Sequence, residues 1–141
     1  MKEQIERQLR IVESFVLQEY DVGVQYGGHL SNAYFHDIKI IEINSKQNYI
    51  SRLHTLLHEV GHVLLQCHDE GHEPFRKQFP YMKKDNREAR GDKKHRVDVI
   101  REEVLAWEYG KKLADSLSLN LDETKWNRHR QEALISYMEW Y

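Results

Sequence analysis

The sequence predicts a single α+β domain, on the basis of its length, its composition and two kinds of residue pattern. The chain has 141 residues, of which 40% are hydrophobic, and this suits one domain with a modest core. Several segments repeat apolar residues every three or four positions, as helices do, whereas residues 34–43 are β-rich in composition. We therefore expect residues 1–141 to form one domain with an N-terminal helix, a small β-sheet, a central helix and two C-terminal helices.

The first part of the chain supplies the N-terminal helix and the sheet. The helix is predicted to end near Tyr20, and its apolar stripe consists of Ile5, Leu9, Val12 and Val16. Residues 21–26 are expected to form a short strand, followed by a turn at residues 27–28. The β-rich segment 34–43, with its core at 38–43, comes before the central helix.

Residues 58–62 read His-Glu-Val-Gly-His, the H-E-x-x-H pattern that can bind zinc. They lie in a proline-free, apolar run, residues 49–67, that favours a helix. Because residues four apart on a helix are offset by only about 40°, His58 and His62 would face the same ion. Glu59 would then lie close to a water that the ion activates. The pattern predicts a metal site on the central helix.

Two further residues of this helix carry a prediction. Gly61 costs roughly 1 kcal/mol of helix stability relative to alanine, which indicates close packing or the close approach of a ligand. His54 lies one turn before His58 and shares its face. It is expected either to support the metal site or, more simply, to be a partly buried structural histidine.

A catalytic zinc ion needs a third protein ligand and an open position for water. Residues 97–117 form a second helical pattern whose apolar stripe is Val99, Ala106, Trp107, Gly110, Leu113, Ala114 and Leu117. Glu103 falls within this stripe, where an unpaired carboxylate would be costly unless a partner such as zinc compensates it. Glu102 lies about 100° away around the helix and is the weaker candidate.

His68 and His72 compete with Glu103 for the third ligand position. They follow the motif by six and ten residues, and the chain could turn back at Gly71 to bring either of them to the ion. The simpler alternative is that both are loop histidines exposed to solvent. Candidates for a second donor, which would hydrogen-bond to a reacting oxyanion, are Tyr109, His95 and Tyr137.

Residues 121–141 form the last predicted helix. Asp122 is a plausible N-cap, and the helical stripe consists of Trp126, Arg130, Ala133, Leu134, Tyr137, Met138 and Tyr141. We expect this aromatic stripe to pack against the helix that carries Glu103.

Two blocks of sequence resemble zinc metallopeptidases of the zincin type. Residues 56–64 (LLHEVGHVL) resemble the active-site helix of these enzymes, and residues 103–107 (EVLAW) resemble the third-ligand helix of compact Glu-zincins. Within this type, the two blocks resemble those of the ImmA/IrrE-type metallopeptidases and of small phage or mobile-element relatives. Residues 71–75 (GHEPF) resemble the region of the downstream histidine in SprT-type proteases, which keeps His72 among the candidate ligands.

The resemblance implies a zincin-like fold and a zinc-dependent peptidase activity. Zn²⁺ would be bound by His58, His62 and Glu103, and Glu59 would act as the general base towards a water that attacks a peptide carbonyl. It also implies that segment 34–43 is an exposed edge strand that pairs with an extended substrate. The alternative for that segment is an ordinary structural strand.

Residues 68–96 are predicted to be a basic, polar connection between two helices. Within them, residues 76–96 contain nine basic and three acidic residues, a local charge of +6 in a chain of net charge −2. This connection could be solvated, or could serve as a lid, as a site for an acidic partner or as a nucleic-acid contact. Two other functions are therefore considered: a zinc-containing regulatory or binding protein with little turnover, and an SprT-like protease acting near nucleic acid.

Cysteine content and hydropathy indicate a cytoplasmic protein, and the resemblance to zinc metallopeptidases implies a peptide or protein substrate. Cys67 is the only cysteine, so no disulfide can form within the chain and a cysteine-rich zinc site is excluded. No apolar run approaches the roughly 20 residues needed to cross a bilayer, and the N-terminus lacks an apolar signal core. The net charge of −2 gives no general indication of nucleic-acid binding, and the oligomeric state stays open.

Overall fold

The computed structural model describes residues 1–66 and 93–139. These residues form a mixed α+β fold, as predicted. In chain order the elements are α1 (Lys2–Tyr20), β1 (Gly23–Gly27), β2 (Ala33–Phe35), β3 (Ile40–Asn44), α2 (Tyr49–Gln66), α3 (Lys93–Ser116) and α4 (Glu123–Glu139).

Helix α1 ends at the predicted residue and covers part of the core. Leu9, Val12 and Val16 of its apolar stripe are buried. The helix stops because Asp21 adopts the left-handed conformation, with φ 58° and ψ 38°, which turns the chain into the sheet. The backbone N–H of Asp21 donates a hydrogen bond to the carbonyl oxygen of Leu17, so this end of the helix is capped.

The β-rich segment 34–43 forms two strands, so the expectation that it is one strand is wrong. Strands β2 and β3 pair in antiparallel fashion across a turn at residues 36–39, where Lys39 has a φ of 54°. Ile38, which was expected in the core of the strand, lies in this turn with 63% of its surface exposed. Only Ile41 and Ile43 of the predicted strand core are fully buried.

Strand β3 lies in the middle of the sheet, in the order β1-β3-β2. It pairs in parallel with β1 on one side and in antiparallel with β2 on the other. The strand that immediately precedes α2 therefore has no free edge, and the predicted edge role cannot belong to residues 40–43. Within segment 34–43, only the short strand β2 lies at an edge of the sheet.

Helices α2 and α3 form the most extensive contact between elements of the described chain. Helix α2 spans Tyr49–Gln66, in agreement with the prediction, and its middle is buried on all sides. Helix α3 begins at Lys93, four residues before the predicted start at Val97. Residues 93–96 therefore belong to this helix and not to a connecting segment. The rest of the predicted connection, including His68 and His72, lies outside the described residues, as does Cys67, the predicted last residue of the central helix.

Helix α4 packs on α3 through an aromatic contact. Asp122 is the N-cap: its Oδ1 accepts a hydrogen bond from the backbone N–H of Lys125, at 3.1 Å. Trp126 is buried and meets Trp107 of α3 edge-to-face, with ring centroids 5.0 Å apart. Within the described part of the predicted stripe, Trp126 is the one buried residue, and Met138 is 60% exposed. The other described members are partly buried, namely Arg130, Ala133, Leu134 and Tyr137, and Tyr141 lies outside the described residues. In the described helices, no stretch combines the length and the apolar character that crossing a bilayer requires.

Candidate metal centre

The H-E-x-x-H motif lies in the most deeply buried part of α2. His58 and His62 are one turn apart, and their ring centroids are 4.8 Å from each other. Both histidines are buried, with 7% and 9% of their surface exposed, and Glu59 between them is 5% exposed. Three ionisable side chains thus lie together where water hardly reaches. Such groups are costly to bury unless they are paired or bind a metal.

Helix α3 brings Glu103 against both histidines. Its Oε2 lies 2.8 Å from the Nε2 of His58, and its Oε1 lies 3.2 Å from the Nε2 of His62. One carboxylate therefore spans the two ring nitrogens that face each other across the site. This is the residue that the apolar stripe of α3 singled out.

Glu102 is also at the site, but on the far side of His62. Its Oε1 lies 3.0 Å from the Nδ1 of His62, and the same oxygen accepts a hydrogen bond from the Nε2 of Gln66 at 3.0 Å. Glu102 is only 3% exposed. Glu102 was expected to lie about 100° from the buried stripe, as the weaker candidate ligand, and it is nevertheless buried because α2 and α3 lie close enough together to enclose both carboxylates.

Two glycines allow α2 and α3 to approach this closely. A Cβ atom on Gly61 would lie 2.0 Å from the carbonyl oxygen of Ala106, and one on Gly110 would lie 2.6 Å from that of Leu57. In both cases the obstacle is backbone, which cannot move aside without separating the helices. Gly61 therefore serves close packing, which was one of the two predicted reasons for its presence.

Trp107 holds the ring of His58 from the other side. The two rings are stacked, with centroids 4.4 Å apart and planes 11° from parallel. Trp107 is itself fixed by edge-to-face contacts with Trp126 and His129 of α4. The orientation of His58 is thus determined by the packing of α3 and α4.

The carboxylates change the protonation of the cluster. Burial lowers the pKa of His62, but its hydrogen bonds to Glu102 and Glu103 outweigh burial and raise this pKa well above its ordinary value. Burial raises the pKa of Glu103, but hydrogen bonds from His58 and His62 outweigh it and lower this pKa well below its ordinary value. Without a metal, the Glu103 carboxylate is therefore ionised and pairs with the imidazolium of His62.

The buried group of His58, Glu59 and His62 could hold a metal ion, because a ligand atom of each lies within 4.8 Å of the others. Glu103 lies beside this group, with its carboxylate oxygens at hydrogen-bonding distances of 2.8 and 3.2 Å from the Nε2 atoms of His58 and His62.

Tyr137 of α4 is the candidate second donor that contacts this cluster. Burial and the negative charges of Glu103 and Glu59 raise the pKa of Tyr137, which also forms a hydrogen bond with Glu103. Its hydroxyl therefore stays protonated at neutral pH and can donate. Of the other two candidates, Tyr109 is 39% exposed beside Lys112, and His95 is buried in the first turns of α3.

His54 belongs to a second, separate pair of histidines. It is 2% exposed, and its Nδ1 lies 3.4 Å from the Nδ1 of His129 on α4. Its ring also meets Trp126 edge-to-face. Burial and the neighbouring charge of His129 lower the pKa of His54 to about 4. These contacts support the structural role that was the simpler prediction for His54.

The sequence did not indicate three of the residues that shape this centre: Gln66, Trp107 as a ring partner, and His129. Helical spacing could have indicated Gln66, because it lies one turn after His62 on the same face of α2. The contacts of Trp107 and His129 depend on how α4 packs, which no local spacing reveals.

Comparison of this chain with models of protein families, with curated proteins and with solved structures found no match.

Proposed function

We propose that this chain is a zinc-dependent metallopeptidase, with the metal held by His58, His62 and Glu103 and with Glu59 as the general base. The observation that carries the proposal is the position of Glu103, whose two oxygens lie within 3.2 Å of the Nε2 atoms of both motif histidines. Two imidazoles and one carboxylate form a ligand set that suits zinc and leaves one position free for a catalytic water.

The metal and the protein would divide the chemistry between them. Bound Zn²⁺ would act as a Lewis acid that lowers the pKa of a water and polarises the peptide carbonyl. The carboxylate of Glu59 would accept the proton of that water and pass it to the nitrogen of the leaving amine. Glu59 is well situated for this role because it lies in the buried cluster, where the low dielectric strengthens its interactions.

Tyr137 is the residue we assign to the developing oxyanion. Its hydroxyl now bonds to Glu103, and its raised pKa keeps the proton on the oxygen. A carboxylate that turns towards a metal would release this hydroxyl, which could then donate to the carbonyl oxygen of the substrate.

An extended substrate would pair with β2 in this proposal. Strand β3 already has a neighbour on each side, so among the described strands the sheet edge nearest in sequence to α2 belongs to Ala33–Phe35. A peptide added there would gain main-chain hydrogen bonds without displacing a strand.

The test compares Glu59→Gln with the wild type on a mixture of unstructured decapeptides, with products followed by mass spectrometry. We expect zinc-loaded wild type to cleave peptides and to stop when a chelator removes the metal. Glu59→Gln should still bind about one zinc and fold normally, because the amide preserves size. It should cleave roughly 10²–10⁴-fold more slowly, since the amide cannot take up the proton.

A matched control is Glu108→Gln, which makes the same change at an exposed position of α3. Its rate should equal that of the wild type. If Glu59→Gln cleaves at the wild-type rate, Glu59 is not the base. If zinc-loaded wild type cleaves no peptide of the mixture, the proposal gives way to a metal-binding protein with little turnover.

A further inference from the structure

Glu102 is a buried carboxylate that the proposed hydrolysis does not use. It is 3% exposed, and it lies behind His62 instead of beside the position that a metal would take. We infer that Glu102 is a positioning residue that orients His62 for metal binding, and that Gln66 holds Glu102 in place. This inference rests on the proposed function, because it assigns Glu102 a part in the same metal centre.

The contacts of His62 divide its two ring nitrogens between the two carboxylates. Nε2 lies 3.2 Å from Oε1 of Glu103, on the side of His58, and Nδ1 lies 3.0 Å from Oε1 of Glu102. A metal held between His58 and His62 would therefore take Nε2. The Nδ1–H of the neutral ring would then donate to Glu102, which fixes the tautomer that leaves Nε2 free to bind.

Gln66 explains why Glu102 stays in place. Its amide Nε2 donates to the same Oε1 of Glu102, at 3.0 Å. Gln66 and His62 are one turn apart on α2, so both donors approach the carboxylate from one helix while Glu102 comes from α3. Oε1 of Glu102 thus accepts two hydrogen bonds, and α2 determines the positions of both donors.

The two motif histidines are oriented in different ways, which gives Glu102 its particular role. The ring of His58 is stacked on Trp107, with centroids 4.4 Å apart. His62 has a polar support instead, in the hydrogen bond to Glu102. If that support is removed, rotation of the His62 ring can turn Nε2 away from the position between the histidines. An ionised carboxylate buried here is costly unless such a bond compensates it.

The test is a zinc-competition titration of the full chain with Glu102→Ala, Glu102→Gln and the control Glu108→Gln. We expect Glu102→Ala to weaken zinc binding about 10- to 100-fold, the range typical of residues that support a metal ligand. Glu102→Gln should fall between Glu102→Ala and wild type, because its amide oxygen still accepts from Nδ1–H. Glu108→Gln should bind as the wild type does.

The visible spectrum of the cobalt-loaded protein provides a readout that a purely structural role would not alter. In Glu102→Ala, His62 should leave the ion, and the band intensities should change. In Glu102→Gln, His62 should stay bound, and the band intensities should be largely unchanged. Circular dichroism and urea unfolding show whether each variant folds. If Glu102→Ala does not fold, the comparison of Glu102→Gln with the wild type tests the inference. We then expect Glu102→Gln to bind zinc about three- to tenfold more weakly than the wild type.

Equal zinc affinity and equal cobalt spectra for wild type and Glu102→Ala would overturn the inference. So would a Glu102→Gln variant that binds as weakly as Glu102→Ala. Failure of the proposed function is distinguishable: if the predicted order of affinities is found but no peptide is cleaved, the positioning role stands and the peptidase does not. Wild-type protein that binds neither zinc nor cobalt would overturn both.

Discussion

Two pairs of histidines lie side by side in this fold, and they have opposite electrostatic character. His58 and His62 meet two carboxylates from α3, and the pKa of His62 is raised. His54 lies one turn earlier on α2 and meets His129 of α4, and its pKa is lowered to about 4. His54 and His62 are both buried, so burial alone cannot explain the difference between their pKa values. The carboxylates of α3 make one pair a potential metal site, and the other pair remains part of the aromatic core.

The two pairs also differ in how the helices around them meet. The motif pair lies where α2 and α3 approach backbone to backbone, through Gly61 and Gly110. The other pair lies where α2 meets α4, with His54 in ring contact with Trp126 and His129 in ring contact with Trp107. Close approach of the backbones fixes the distance between ligands more firmly than ring packing does, because side chains can adjust and carbonyl groups cannot.

The largest expected effect comes from removing one histidine of each pair. His62→Ala should weaken zinc binding by on the order of 10²-fold or more, because it deletes a direct ligand. His129→Ala should weaken zinc binding far less, since His129 contacts His54 and the ring of Trp107 and so lies one step away from the proposed ligands. A competition titration with a chromophoric chelator measures both. Equal losses in the two variants would mean that the pairs are not functionally distinct.

A smaller effect is expected from filling the space between the backbones. Gly61→Ala should destabilise the protein by about 1–3 kcal/mol or more and should also weaken metal binding, because the new methyl group forces α2 away from α3. Gly23→Ala is the matched control, since a Cβ there meets no atom within 4 Å. Urea unfolding of the two variants provides the comparison. A Gly61→Ala variant as stable as the wild type would show that the helices can separate at little cost.

The smallest effect concerns the second pair and depends on pH. His54 has a folded pKa of about 4, below the ordinary value of 6.5, so the unfolded chain binds more protons between these values. His54 by itself should therefore lower the stability of the metal-free protein as the pH drops from about 6.5 towards 4. His54→Leu should flatten this slope, although His129, whose pKa is also lowered by burial, retains part of it. Urea unfolding at pH 7 and pH 5 in the presence of a chelator measures the difference, and an unchanged slope in His54→Leu would contradict the assignment.

Much of this fold follows from local spacing in the sequence. Helices α1 and α2 and the N-cap at Asp122 are where the residue pattern predicted them, because helical periodicity and capping are properties of neighbouring residues. The sheet was predicted less well. The turn at residues 36–39 requires Lys39 in a left-handed conformation, and no glycine or asparagine marks that position.

The residues of the candidate site that could be predicted are those whose positions depend on spacing within a single helix. The i, i+4 spacing of His58 and His62 places them on one face wherever α2 lies, and Glu103 belongs to the stripe that α3 buries. The contact of Glu102 with the Nδ1 of His62 depends on the distance between α2 and α3. That distance is determined by two glycines 49 residues apart in the sequence. A single helical stripe contains no information about such a distance.

The central claim is that the motif histidines and Glu103 form one zinc site, and metal analysis of the purified chain and of Glu103→Ala tests it most directly. Wild-type protein should carry about one zinc per chain and should take it up again after removal at neutral pH. Glu103→Ala should lose tight binding, because the ligand that spans both Nε2 atoms is gone. A wild-type chain that neither carries zinc nor rebinds it, or a Glu103→Ala variant that binds zinc as tightly as the wild type, would contradict the account.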